Sequence, residues 1–186
     1  MKTADIKIVL IHGNGGGTGQ DYWFPSLQKT LEQQGLHVIA NTFPDAEVAH
    51  EAIWIPYLEK EIQADEITVL VGHSSGGIAS IRYAEHHTIL GSVLVGVNYT
   101  DLGDATEKES GYYNHPWDWN AIKKNQQWIL QFSSTDDPYI PIDQPRFIHE
   151  QLQSDYHEYS DKGHFMIPEF PELGEILLAK IRLAIT

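Results

Sequence analysis

The sequence predicts an α/β fold, a three-layer α/β/α sandwich around a mostly parallel sheet of about six strands. Three observations predict it. Short apolar runs rich in β-branched residues alternate along the chain with segments of helical spacing. One of these runs, Ile67-Thr68-Val69-Leu70-Val71, is apolar almost without a break, as expected of a strand buried on both faces of a parallel sheet. It ends in Gly72-His73-Ser74-Ser75-Gly76, where two glycines flank one serine in a strand-to-helix turn too tight for side chains at the flanking positions. The 186 residues suffice for one core and are too few for two comfortable ones, so a single domain over 1–186 is expected.

Taken in order, Ile6 to Ile11 form the first strand, which runs into His12-Gly13-Asn14-Gly15-Gly16-Gly17-Thr18-Gly19. This loop fails the dinucleotide spacing, because Thr18, Gln20 and Tyr22 stand where the last glycine should be, and no Gly-Lys-Ser/Thr closes a phosphate loop. Residues 22–34 place Phe24, Leu27 and Leu31 on one helical face, and Gly35 stops that helix. A short strand covers Leu36 to Asn41. Residues 47–64 carry Ile53, Tyr57, Leu58 and Ile62 at helical spacing, with Pro56 either kinking the helix or marking its first turn. After the glycine-serine turn a helix reaches about His87, and Ile89 to Val97 read as another buried strand. Residues 98–127 are aromatic-rich and non-periodic, a lid-like insertion in which Tyr112, Trp117 and Trp119 are candidate pocket residues. The alternative is that these rings cover one end of the core. Trp128 to Ser133 resume the sheet, 143–152 form a helix, Tyr156 to Tyr159 a last strand, and Leu173 to Ala184 a closing helix.

Composition narrows the function. A net charge of -14 with no run of Lys or Arg argues against nucleic acid and anionic membranes as partners. The absence of cysteine excludes disulfides and a thiol nucleophile, and no His-x-x-x-His pair supports a metal site, so no metal or cofactor is expected. The apolar stretch near the start, Ile8 to Ile11, is far shorter than a signal-peptide core or a membrane span, and a cytoplasmic protein is expected.

A serine hydroxyl attacks slowly unless a base removes its proton, and an imidazole base must itself be oriented by a carboxylate. In a sheet of this kind the partners follow in the order Ser, acid, His at strand ends. Ser74, Asp137 and His164 satisfy both order and placement. Ser75 does not qualify as the nucleophile, because His73 occupies the position that packing reserves for glycine. Asp137 is preferred to Asp136 because it opens an Asp-x-x-Ile-Pro turn. Backbone amides of Ser75 and Asn14 are the expected oxyanion donors.

These motifs resemble the retinoblastoma-binding protein nine family, small serine hydrolases of the α/β-hydrolase superfamily, from about residue 13 to 172. The resemblance rests on Gly13 to Gly17, Glu51 to Pro56, Gly72 to Gly76, Asp101 to Asp104, Ser110 to Tyr113 with Pro116, Trp117 and Trp119, Ser134 to Pro138, and Gly163 to Phe165. It implies a compact α/β-hydrolase fold and hydrolysis of a small ester or amide, with aminopeptidase-like activity among the expectations. It places nucleophile, acid and base on the same Ser74, Asp137 and His164. The Leu-x-Cys-x-Glu segment for which animal members are named is replaced by Ile62-Gln63-Ala64-Asp65-Glu66, so retinoblastoma-type partner binding is not expected. The rival reading is a binding protein that keeps the fold and pocket and turns nothing over.

Overall fold

The structure, a computed structural model, describes residues 5–185. Strands β1 (Lys7–Ile11), β2 (His37–Ile39), β3 (Thr68–His73), β4 (Gly91–Val95), β5 (Trp128–Ser134) and β6 (Asp155–Tyr159) make one sheet in the order β2-β1-β3-β4-β5-β6. Every neighbouring pair is parallel. The helices are α1 (Phe24–Gln33), α2 (Glu51–Lys60), α3 (Ser75–His86), α4 (Ala105–Ser110), α5 (Trp119–Lys124), α6 (Asp143–Leu152) and α7 (Pro171–Ile185). None of the described helices is long and apolar enough to cross a membrane.

Side chains that alternate along each strand point to opposite faces of the sheet, and this period of two divides the core. Ile8, Leu10, Val69, Val71, Val93, Val95, Leu130 and Phe132 join Phe24, Leu27 and Leu31 of α1 and Leu173, Leu177 and Ile181 of α7 in one buried layer. Val9, Ile11, Leu70, Leu94 and Ile129 face the other way, against Trp54 and Leu58 of α2, Ile78 and Ile81 of α3, Ile122 of α5 and Ile148 of α6.

Two expectations about elements are corrected. The helix read as 47–64 begins at Glu51, because Asp45 and Ala49 adopt positive φ (55° and 64°) and the Asp45 carboxylate accepts from both the backbone N–H and the ring of His50. Pro56 lies inside α2 rather than in its first turn. The stretch 98–127 holds two six-residue helices, α4 and α5, each too short to show a helical repeat in sequence.

The strand order reverses direction between β1 and β3. At such a switch point the connections leave toward opposite faces, and a crevice opens at the carboxyl ends of the two strands. Ile11 at the end of β1 is in register with Gly72 of β3, so the glycine-rich loop and the glycine-serine turn emerge side by side.

Candidate active site

Ser74 sits between β3 and α3 at φ 53° and ψ -124°, a backbone strain on the order of 1–3 kcal/mol for a residue with a side chain. The turn closes through Ser74 N–H to Val95 O at 2.8 Å and Gly77 N–H to Ser74 O at 2.8 Å. A Cβ on Gly72 would overlap the Gly76 backbone, and one on Gly76 would overlap the Ile11 carbonyl. This is why both flanking positions are glycine and why the hydroxyl stands clear of the sheet.

Asp137 and His164 arrive from the loops after β5 and β6. His164 Nδ1 lies 2.7 Å from Asp137 Oδ2, and the two side chains are only 6% and 2% exposed. The other carboxylate oxygen of Asp137 accepts from the amides of Tyr139 (2.9 Å) and Ile140 (3.1 Å), which fixes the carboxylate before the imidazole meets it. The neighbouring Asp136 braces the backbone instead. Its Oδ1 accepts from the Ser134 hydroxyl at 2.5 Å and from Gly163 N–H at 2.9 Å, tying down the loop that carries His164. On the other side of His164, the buried Phe165 packs into the core. Gly96 has φ 61°, and a Cβ there would lie 3.2 Å from the His164 ring, so this glycine admits the imidazole to its position. Nothing in the sequence around Gly96 signalled that contact.

His73 is buried behind this pair. It donates from Nε2 to the His164 carbonyl at 2.8 Å, and its pKa is lowered to about 3 by burial and by the neighbouring His164, so it stays neutral. His12 is likewise pushed down by burial; Phe43 N–H donates to its Nε2 at 2.8 Å. Both imidazoles are engaged in packing and in backbone hydrogen bonds, which for His73 and for His12 Nε2 reach distant segments of the chain.

Ser74 and His164 line one cleft of about 610 Å³. Among the described residues no hydrogen bond joins the Ser74 hydroxyl to the His164 ring, whose Nδ1 is engaged by Asp137. Asn14 N–H donates to Ser75 Oγ at 3.4 Å, beside the turn, and Ser75 N–H at the start of α3 has no partner within its helix. Asp21, Glu47, Asp104 and Glu107 also line the cleft, and among the described residues no Lys or Arg does. Its mouth is rimmed by the exposed side chains of Tyr22, Leu102, Tyr139 and Met166.

Tyr112, Trp117 and Trp119 do not line this cleft, which corrects their reading as pocket residues. Tyr112 is fully buried, and Trp117 and Trp119 stack on each other with ring centroids 5.4 Å apart, against the core face formed by α3 and α5. The cleft residues of the same connection are Asn98, Leu102, Asp104, Thr106 and Glu107, four of them polar, and this mix gave no pocket signal in the sequence. No group of three or more His, Cys, Asp or Glu among the described residues could hold a metal ion.

A family model described as serine hydrolase matches residues 8–171. The chain belongs to the serine hydrolase family. Within that family it resembles Serine hydrolase RBBP9 of Rattus norvegicus, 40% identical over 181 residues that span 96% of this chain and 97% of the relative. The resemblance read from its motifs therefore holds along nearly the whole length. Among solved structures, the ydeN gene product of Bacillus subtilis superposes with a TM-score of 0.84 at 22% identity, covering 95% of this chain and 99% of that one. A carboxylesterase structure from the thaumarchaeon Nitrososphaera gargenis gives 0.73 at 16% identity, covering 96% and 90%. These two share the fold, the α/β-hydrolase arrangement expected for a serine hydrolase.

Proposed function

We propose that this serine hydrolase cleaves a small, positively charged ester or amide through an acyl-enzyme on Ser74. The observation that carries the reading is the His164–Asp137 bond at 2.7 Å on the wall of the cleft into which the strained Ser74 turn projects. Because Nδ1–H faces the Asp137 carboxylate, Nε2 of a neutral His164 is left as a proton acceptor. Ser74 Oγ attacks the carbonyl carbon as its proton passes to Nε2, and the oxyanion that forms is held by the amides of Ser75 and Asn14. Collapse expels the alcohol or amine, which takes the proton from His164. Water then attacks the acyl group by the same route, releasing the acid and restoring the Ser74 hydroxyl. The four cleft carboxylates, unopposed by Lys or Arg, favour a substrate bearing a cation, and the apolar rim favours one with an apolar body.

A fluorophosphonate probe tests the nucleophile. The protein should be labelled on Ser74 and the Ser74→Ala variant should not. Equal labelling of the variant would refute the assignment, and a protein that neither labels nor shows a burst with activated esters is a binding protein. Paired esters and amides, with and without an amine, should show lower KM for the cationic member of each pair.

A further inference from the structure

Glu107 of α4 reaches across the cleft to the glycine-rich loop, and both of its carboxylate oxygens are engaged. Asn14 Nδ2 donates to Oε1 at 2.8 Å, and the Tyr113 hydroxyl donates to Oε2 at 3.1 Å. Asn98 Nδ2 donates to that hydroxyl at 2.9 Å and to Thr100 O at 2.7 Å. This run of bonds links the segment after β4 to the loop after β1.

Between Gly13 and Gly17 the loop has one side chain, that of Asn14. The far side of the loop is held by its backbone, Gly15 N–H to Glu47 O at 2.9 Å and Gly16 N–H to Ala46 O at 3.1 Å. Gly15 and Gly16 both adopt positive φ, and the Gly13–Asn14 peptide before them is held at its carbonyl by His12 Nδ1 at 2.7 Å and at its N–H only by the long 3.4 Å bond to Ser75 Oγ. The side-chain amide, bonded to Glu107 at 2.8 Å, is a further hold on that peptide and comes from the opposite wall of the cleft. We propose that Glu107 is a positioning residue that, by gripping the Asn14 side chain, aims the Asn14 backbone N–H at the oxyanion. The inference rests on the reading of Asn14 N–H as an oxyanion donor beside Ser74. Burial pushes the Glu107 carboxyl up from its ordinary range, with the Asn14 and Tyr113 donors pulling the other way. A carboxylate kept there at neutral pH works against folding, and its benefit lies in the loop it holds.

The test is a double-mutant cycle on a neutral activated ester, using Asn14→Ala, Glu107→Ala and the pair, with Glu107→Gln and Glu107→Asp alongside. Deleting an oxyanion donor outright typically costs about a hundredfold, so misaiming one should lower kcat roughly tenfold. Each single variant should show that loss with KM within about twofold, and the double should be no worse than either single. Glu107→Gln, which keeps an acceptor for Asn14, should recover most of kcat. Glu107→Asp, one methylene short, should not, and it serves if Glu107→Ala fails to fold. Additive losses, an effect on KM alone, or Glu107→Gln as impaired as Glu107→Ala would overturn the role. Probe labelling separates this from the parent reading: a wild type never labelled on Ser74 removes both, whereas labelled Glu107 variants with undiminished kcat remove only the inference about Glu107.

Discussion

The connection between β4 and β5 divides into two halves of opposite character. Residues 98–107 are mostly polar and supply Asn98, Leu102, Asp104, Thr106 and Glu107 to the cleft lining; residues 112–119 are rich in aromatics, and Tyr112, Trp117 and Trp119 pack into the core instead of lining the cleft. The second half is held by Arg82 of α3, whose side chain is 1% exposed. Its guanidinium donates to the carbonyls of Tyr112, His115 and Pro116, makes two bonds to the Glu85 carboxylate (2.8 and 3.0 Å), and lies 3.4 Å from the centre of the Trp117 ring. Glu85 also accepts from Asp118 N–H at 2.8 Å. The contrast teaches that aromatic content marks where a loop is sealed, and that the working face is the half whose polar groups have been left facing the cleft.

The sharpest way to break this comparison is Arg82→Met. Removing one member of a buried pair leaves Glu85 uncompensated and costs about 3–5 kcal/mol. Thermal unfolding should show a fall on the order of 10 °C, while the kcat of the folded fraction stays near wild type. A variant with normal stability and lost kcat would mean that the aromatic half belongs to the site after all. The smaller effect is expected in the cleft half, from Glu107→Gln. A carboxyl whose folded pKa is raised stabilises below the unfolded value, and that contribution is lost as pH rises through the folded value. The neutral amide should therefore melt higher than wild type at pH about 7, and the advantage should vanish near pH ~4, around the ordinary glutamate value. A melting difference that does not change with pH would show that the charge of Glu107 carries no such cost.

The buried strands were legible because a strand covered on both faces has no need of polar alternation, and β3, β4 and β5 read directly as apolar runs. The positions of Ser74, Asp137 and His164 were legible because each stands at the end of a strand within a distinctive local turn. Arg82 was not. It falls in a run of helical spacing, and nothing nearby in the sequence announces that three carbonyls about thirty residues away will close on it. Glu107 and Asn14 were unreadable as a pair for the same reason, since 93 residues separate them. Gly96 shows the limit from another side, because its backbone is required by a ring that enters from a distant loop.

His164 follows the last strand of the sheet, and β6 has a neighbour on one side only, whereas β3, which carries Ser74, is flanked by β1 and β4. The proposed base therefore hangs from the margin of the molecule and the proposed nucleophile from its interior. Fraying of that margin would disarm the enzyme without unmaking it. In a urea titration, turnover should disappear before the far-UV ellipticity falls; coincident loss of the two would mean that the margin is as firmly held as the centre.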